Sequence, residues 1–203
     1  MPRYREGMRV LPALPADAAG VYRVCLLTGD SGGDASPLHD DPDLLGHVYA
    51  GAYLAAEPAL ARVVVDETGV IGYVLGALDT RTFEAWCGRE WWPPLRERYP
   101  LDAQRRESDA ALVRLIHTPD RVPDVVVDEY PSHLHIDLLP RAQGHGVGRA
   151  LMDGLLARLR DAGSPGIHLG VADSNTNAIG FYERLGFTEL TREPGARLYG
   201  LRL

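Results

Sequence analysis

The sequence predicts a mixed α/β fold in which helices flank one central, mixed β-sheet, and three observations support this prediction. Two β-rich runs at 62–66 and 70–79 are joined by a short turn ending in Gly69, a composition typical of a hairpin. An apolar run at 133–139 leads through a glycine-rich loop into a helical pattern. A chain of 203 residues is long enough to bury a core. We therefore expect one domain that spans residues 1–203.

The elements before the hairpin are predicted to be a strand, two helices and a loop. A short first strand is expected within 4–12, and the pattern over 16–28 indicates a helix that ends at Gly29. The segment 29–42 is rich in Gly, Asp, Ser and Pro, which predicts a loop. A second helix is expected over 43–55.

The segment 80–132 is too long to be a simple connection. A structureless loop of this length is improbable in a compact domain. It contains the pair Pro93 and Pro94 and a helical pattern near 102–117. It also contains Phe83 and the tryptophans Trp86, Trp91 and Trp92. We therefore expect a helical insertion before the fourth strand, with two helices packed beside the sheet.

The last third of the chain predicts alternating strands and helices and then two closing strands. The expected order is a strand at 133–139, a helix at 146–162, a strand at 166–172, a helix at 176–185, and strands near 187–191 and 197–202.

Composition and charge are those of a globular protein and exclude some partners. Hydrophobic residues make up 45% of the chain and charged residues 24%. The first seven residues carry no signal-peptide pattern, and no apolar run reaches the length of a membrane span. The net charge of −7 argues against nucleic acid as a partner. Cys25 and Cys87 form no spaced motif and are expected to be reduced thiols, so we expect a cytoplasmic protein. A homodimer is left open.

The segment 138–151, LLPRAQGHGVGRAL, is the most informative stretch. Gly144, Gly146 and Gly148 occupy alternate positions between a strand and a helix. Glycines let a backbone approach a ligand closely, and amides at a helix N-terminus favour anions such as a pyrophosphate. A P-loop would need Lys and Ser or Thr after the last glycine, and a dinucleotide fingerprint would need G-x-G-x-x-G. The spacing here matches neither.

Two segments together resemble the GNAT (GCN5-related) N-acetyltransferases. The family's acetyl-CoA motif, Arg/Gln-x-x-Gly-x-Gly/Ala, is matched by Arg141, Gly144 and Gly146. The segment 175–187, NTNAIGFYERLGF, is similar to the family pattern Asn-x-x-Ala-x-x-Phe-Tyr-x-x-x-Gly-Phe. Its matching residues are Asn177, Ala178, Phe181, Tyr182, Gly186 and Phe187.

A narrower resemblance lies in the N-terminal half. The strings YRVCLLTGD at 22–30 and EWWPPLRERY at 90–99 are similar to the acetyltransferase-like C-terminal domain of animal O-GlcNAcase and to its free-standing bacterial relatives. The animal domain departs from the glycine loop and is regarded as a pseudo-acetyltransferase. This sequence keeps the loop, so the resemblance implies that it binds acetyl-CoA.

The GNAT resemblance implies a fold in which strands four and five splay apart and acetyl-CoA lies in the gap. Here those strands are 133–139 and 166–172. Asn175 fits the N-cap of the following helix, which leaves Asn177 for the pantetheine arm. The residues expected to hold the cofactor are Leu138, Leu139, Arg141, Gln143, Gly144, His145, Gly146, Val147, Gly148, Arg149, Asn177 and Tyr182.

The resemblance places the general acid at Tyr182, with Phe181 packed in the core and Tyr182 pointing elsewhere. A phenol with a pKa near 10 can protonate a departing thiolate. An amine acceptor also needs a base. His133, His135 and Asp137 alternate along one strand and so share one face. Asp137 or His135 is the candidate base, with Asp79 as a third candidate or a turn-forming residue. No third ligand accompanies the histidines, so no metal is expected.

The acceptor pocket is expected between Asp30 and Tyr53 and in the insertion. Four aspartates cluster there and suit a cationic acceptor, although solvated loop carboxylates explain them as well: Asp34, Asp40, Asp41 and Asp43. Tyr49 and Tyr53, at i and i+4, either line the pocket or pack.

Two functions remain open at this point. The first is an acetyl-CoA-dependent N-acetyltransferase that acts on a small amine or a protein lysine by direct attack in a ternary complex. The second is a regulatory or interaction module that binds acetyl-CoA without turnover. A nucleotide-binding oxidoreductase is excluded by the glycine spacing and the strand order.

Overall fold

A computed structural model of the chain describes residues 7–103 and 106–203, and it contains a seven-stranded mixed sheet. The strand order is β1-β2-β3-β4-β5-β7-β6, and β4 and β5 are the one parallel pair among the described strands. The strands are β1 Arg9–Pro12, β2 Arg62–Asp66, β3 Gly69–Ala77, β4 Ser132–Leu138, β5 Gly166–Ala172, β6 Thr188–Glu193 and β7 Ala196–Arg202. The predicted mixed α/β fold is confirmed. Part of the predicted first strand, 4–6, lies outside the described residues.

Helices cover both faces of the sheet. They are α1 Ala18–Thr28, α2 Leu44–Tyr49, α3 Gly51–Ala56, α4 Thr80–Trp86, α5 Trp92–Arg98, α6 Glu107–His117, α7 Asp124–Val127, α8 Val147–Asp161 and α9 Thr176–Arg184. Helix α1 packs against β3 and β4 on one face, and α8 packs against the same strands on the other. Strand β3 is therefore buried from Val70 to Ala77. In the described part of the chain, every helix is too short or too polar to cross a lipid bilayer.

The predicted helix over 43–55 is wrong in one respect, because it divides at Ala50 into α2 and α3. The backbone of Ala50 leaves the helical region at φ −133°. The break brings the backbone of Gly51 against two aromatic rings: a Cβ there would overlap the Tyr22 hydroxyl and lie 2.6 Å from Trp91. Close packing against these rings therefore overrides a continuous helix.

The insertion is helical, as predicted, but its described residues, 80–103 and 106–132, form four α-helices rather than two. A π-helical turn at Cys87–Trp91 follows α4, and Pro93 and Pro94 in the first turn of α5 then start a new helix. Pro123 stands at the N-cap of α7. Helix α6 packs on α2 and α5, so the insertion reaches the sheet mainly through the helices of the N-terminal half.

Strands β4 and β5 separate soon after they meet. Their register is limited to the pairs Ser132–Ile167 and His133–His168. Beyond these pairs β4 keeps its partner β3 up to Leu138, and β5 keeps its partner β7 up to Ala172. The two parallel strands therefore splay apart toward their carboxyl ends, as the resemblance implies.

Candidate active site

The two faces of β4 have different chemistry, as the alternation of its residues predicts. His133 and His135 contact the ring of Tyr53 on α3, so these side chains lie on the face covered by the N-terminal helices. On the opposite face, Leu134 is buried and the side chain of Leu138 packs against α8 near Gly148. His135 and Asp137 follow the last pair that β4 forms with β5, so the polar face lies where the two parallel strands separate.

Asp137 is held by a partner that the sequence analysis missed. The hydroxyl of Tyr73, directly opposite on β3, donates to Asp137 Oδ2 at 2.5 Å, and Tyr73 is fully buried. Burial raises the pKa of the Asp137 carboxyl above its ordinary value of 3.8, although hydrogen bonds from Tyr73 and Thr28 act in the opposite direction. A raised pKa brings this carboxyl closer to the range in which a side chain can accept and release a proton.

His135 is the least restrained of the candidate bases. Its ring centroid lies 5.8 Å from that of Tyr49 and 5.4 Å from that of Tyr53. Burial lowers the pKa of the imidazole to about 4, so it is neutral at pH 7 and its free ring nitrogen can accept a hydrogen bond, although burial opposes the uptake of a proton.

His133, on the same face of β4, and Asp79, the third candidate base, both have structural partners. Thr80 uses its single hydroxyl proton to donate to the carbonyl oxygen of Pro131, at 2.7 Å, so it accepts from Nδ1 of His133 at 2.8 Å. Asp79 caps α4, because its Oδ1 accepts from the amide of Thr82 at 2.7 Å. Asp79 is therefore better explained as a helix cap than as a base.

The predicted orientations of Phe181 and Tyr182 are wrong. Tyr182 is 7% exposed and packs against the ring of Phe187, whereas Phe181 is only partly buried. The edge of the Phe181 ring instead lies against the first turn of α8, 3.4 Å from where a Cβ of Gly148 would stand. Burial raises the pKa of the Tyr182 hydroxyl, and the nearby charge of Asp137 raises it further, so this phenol stays protonated at neutral pH.

Several polar atoms around β4 are open to solvent although their side chains sit inside the fold. Among the described residues, every fully buried side-chain nitrogen or oxygen has a hydrogen-bond partner. The hydroxyls of Tyr49, Tyr53 and Tyr182 and the ring nitrogens of His135 have no hydrogen-bond partner among the described residues, so they must border accessible space. We call the space that they border the β4 cavity.

The loop after β4 is shaped by its glycines, in two different ways. Gly144 and Gly146 have φ angles of +76° and +74°, which other residues rarely adopt, and Gly146 forms the N-cap of α8. A Cβ on either would meet no atom within 4 Å, so the space outside is open. At Gly148, by contrast, a Cβ would lie 3.1 Å from Leu138. The first two glycines set the backbone, and the third allows close packing.

This loop fits an anionic cofactor arm. Open space lies outside two left-handed glycines, and the unpaired amides at the start of a helix of 15 residues point toward it. Val147 and Leu139 are buried, so only their backbone groups are available to a ligand. His145 and Asn177 are exposed.

Three other residues expected at the cofactor have partners within the protein. Arg141 donates to Asp66 Oδ2 at 3.0 Å and to the Thr68 hydroxyl at 2.7 Å, which ties the loop to the β2–β3 turn. Gln143 donates to the carbonyl oxygen of Leu138 at 2.9 Å, and Arg149 lies 3.6 Å from Asp153.

The N-cap prediction for Asn175 is confirmed, because its side chain accepts from the amide of Ala178 at 3.1 Å.

The aspartate cluster at 34–43 is engaged away from β4. Asp34 accepts from Ser36, Asp40 from Arg106, and Asp41 from the hydroxyl of Tyr99. These contacts shape the loop and dock it on the insertion.

Comparison with known proteins gives a family and a fold. The model of the acetyltransferase (GNAT) family matches residues 38–187. The chain is 40% identical to SsHAT, whose crystal structure superposes with a TM-score of 0.89 over 97% of this chain and 98% of that one. It is 28% identical to rat (Rattus norvegicus) protein O-GlcNAcase over 189 residues, which are 92% of this chain and 20% of that protein. The chain thus spans about a fifth of the length of this curated relative.

The fold also matches YncA of Salmonella typhimurium, whose structure was solved with its cofactor acetyl-CoA. The TM-score is 0.56 with 18% identity, over 98% of this chain and 95% of the other. At this identity the likeness concerns the fold alone.

Proposed function

We propose that this chain, which belongs to the GNAT family of acetyltransferases, transfers an acetyl group from acetyl-CoA to a primary amine on a small molecule or a protein lysine. One observation carries the proposal: the candidate bases His135 and Asp137 follow the last β4–β5 pair on one face of β4, and the charge of Asp137 reaches the protonated phenol of Tyr182. An acyl transfer to an amine needs an acid and a base at the same place.

The cofactor is assigned to the gap and the glycine loop. GNAT proteins generally use acetyl-CoA, which supplies an acetyl group activated as a thioester. We assign the pyrophosphate to the amides from Gln143 to Gly148 with Arg149, and the carbonyl to the backbone of Leu138 and Leu139. Asn177 is assigned to the pantetheine arm.

The base takes a proton from the acceptor. An amine with a pKa near 10.4 is almost entirely protonated at pH 7, so it must be deprotonated before it attacks. Asp137, with a raised pKa and one oxygen bonded to Tyr73, is the acceptor that we favour. His135, neutral and without a hydrogen-bond partner among the described residues, accepts a hydrogen bond from the amine and is the alternative base, but its lowered pKa opposes the uptake of a proton. Tyr182 then donates its proton to the departing sulfur.

The test is calorimetric titration of acetyl-CoA into the wild type and two tryptophan variants. Gly146→Trp fills the open space at the N-cap of α8. Gly163→Trp is its matched control, because Gly163 has a similar φ of +82° and open surroundings but lies beyond the other end of α8. Both variants are expected to lose about 1 to 2 kcal/mol of stability from the left-handed backbone. Only Gly146→Trp is expected to lose binding, by at least about 100-fold.

The outcomes separate the candidate functions. No binding of acetyl-CoA by the wild type contradicts the proposal, and so does equal loss in both variants. Binding followed by release of free CoA in the presence of a primary amine supports the transferase. Binding without turnover over a broad panel of amines and lysine peptides supports the regulatory module instead.

A further inference from the structure

The β4 cavity combines aromatic rings with negative charge, and this combination selects among acceptors. We infer that the acceptor amine carries neutral or cationic groups near its reactive nitrogen, and that acceptors with a nearby carboxylate are rejected. The inference rests on the proposed acetyl transfer and narrows its substrate class.

The walls of the cavity are aromatic. The rings of Tyr49 and Tyr53 flank His135, and Tyr53 in turn stacks on Phe83 with centroids 4.4 Å apart. Tyrosine faces attract an ammonium group through the ring quadrupole, and this attraction is stronger where water is excluded. The free hydroxyls of the two tyrosines and the neutral imidazole add hydrogen-bond acceptors, which match the N–H donors of an ammonium.

The charge beside these rings is the carboxylate of Asp137. Asp137 lies two residues after His135 on β4, so the two side chains share one face of the strand. Its Oδ2 accepts from the Tyr73 hydroxyl at 2.5 Å, and its charge adds to the effect of burial in raising the pKa of the Tyr182 hydroxyl.

The positive charge of Arg81, on α4, is neutralised by carboxylates. Burial lowers the pKa of His168 and the charge of Arg81 lowers it further, but Arg81 is paired with Glu84 at 2.8 Å and also with Asp124. Arg81 and Glu84 thus neutralise each other, and neither leaves a net charge beside the histidines. A carboxylate brought next to His135 would face Asp137 without a compensating cation, and like charges in a poorly hydrated site repel strongly.

The experiment uses three bisubstrate conjugates that do not depend on turnover. Coenzyme A is linked through its sulfur and an acetyl bridge to 1-aminopropane, to 1,3-diaminopropane or to β-alanine, which share a three-carbon skeleton and differ in charge. Binding of each conjugate and of acetyl-CoA is measured by calorimetry at low salt. We expect the diamine conjugate to bind at least about tenfold more tightly than the β-alanine conjugate, with the propylamine conjugate between them, and the difference to shrink in high salt.

Two variants locate the source of the selection. Asp137→Asn removes the charge on β4 and is expected to reduce the difference between the conjugates. Asp41→Asn, in the aspartate cluster whose carboxylate is bonded by Tyr99, is the control and is expected to preserve the difference. Thermal unfolding checks that both variants are folded, and the order of affinities in the wild type tests the inference even if Asp137→Asn does not fold.

The possible results are distinct. If acetyl-CoA itself does not bind, the proposed function fails. If acetyl-CoA binds and the β-alanine conjugate binds as tightly as the diamine conjugate, the inference fails and the proposed function stands. If the selection is lost in Asp41→Asn and kept in Asp137→Asn, the aspartate cluster is the selecting feature and the assignment to the β4 cavity is overturned.

Discussion

The two sides of β4 differ in the groups that they offer and in how far apart those groups lie in the sequence. The proposed cofactor side consists of the loop 140–146 and the start of α8, all within a few residues of the end of the strand, and it offers mainly backbone groups. The proposed acceptor side consists of side chains from α2, α3, β3 and the insertion, which are far apart in the chain. A backbone site has a local sequence signature, whereas a side-chain site exists only after the elements have packed.

This difference suggests that the acceptor side depends on long-range contacts for its shape. The loop that carries the aspartate cluster is docked on α6 by a buried carboxylate: Asp109 is 1% exposed and accepts from His39 Nδ1 at 2.6 Å and from the amide of Asp40 at 2.9 Å. The sequence separation of these pairs is about 70 residues. Each of the predictions below tests one part of this comparison.

The largest effect is expected at this buried carboxylate. Asp109→Ala leaves two partly buried donors, the ring of His39 and the amide of Asp40, without an acceptor, and the free energy of unfolding should fall by about 3 kcal/mol. Glu107→Ala is the control on the same helix, because Glu107 pairs with Arg114 in solvent and should change stability by less than about 0.5 kcal/mol. Denaturant unfolding measures both. A loss of less than about 1 kcal/mol for Asp109→Ala would show that the buried carboxylate does not hold this loop on the insertion.

The second effect is a pH dependence that belongs to the acceptor side. The pKa of His135 is lowered by burial from 6.5 to about 4 in the folded chain. As the pH falls below 6.5, the unfolded chain binds a proton that the folded chain refuses, so the stability present at pH 7 is lost toward pH 4. Between pH 7 and pH 5 the wild type should lose up to about 2 kcal/mol relative to His135→Asn.

The comparison with the variant is needed because neighbouring groups also titrate. Burial lowers the pKa of His133 and of His168, which adds to the acid instability, while the raised pKa of Asp137 acts in the opposite direction. These groups remain in both proteins and largely cancel in the difference. His145→Asn, in the exposed cofactor loop, is the control. If the two variants show the same pH profile, the inside of the β4 cavity is as well hydrated as the loop.

The parts of the fold that the sequence predicts well are those with local signals. The turn and the β-rich runs predict the hairpin of β2 and β3, and the bounds predicted for β5, 166–172, agree to the residue. The family resemblance implies the splay of β4 and β5. The division at Ala50 was not predictable, because it depends on Tyr22 and Trp91 meeting the backbone of Gly51.

The same distinction applies to the site. Spacing and resemblance identify the glycine loop, Tyr182 and the polar face of β4, and their catalytic roles stay predictions. Tyr73 was missed because its contact with Asp137 depends on the register of two strands, and the two residues are 64 positions apart. The alternation along β3 places Tyr73 on a defined face, but only the pairing shows that this face meets Asp137.

The smallest effect is expected on the helix of the cofactor side. Gly154 lies inside α8, and a methyl group added there would meet no atom within 4 Å, so Gly154→Ala should raise the stability by about 0.5 to 1 kcal/mol through helix propensity alone. Acetyl-CoA affinity should not change, because the cofactor side uses the first turn of α8 and Gly154 lies in its middle. Thermal unfolding and calorimetry test both statements. A change in affinity would mean that the cofactor contacts extend along the helix, and that the cofactor side is less local than its sequence signature indicates.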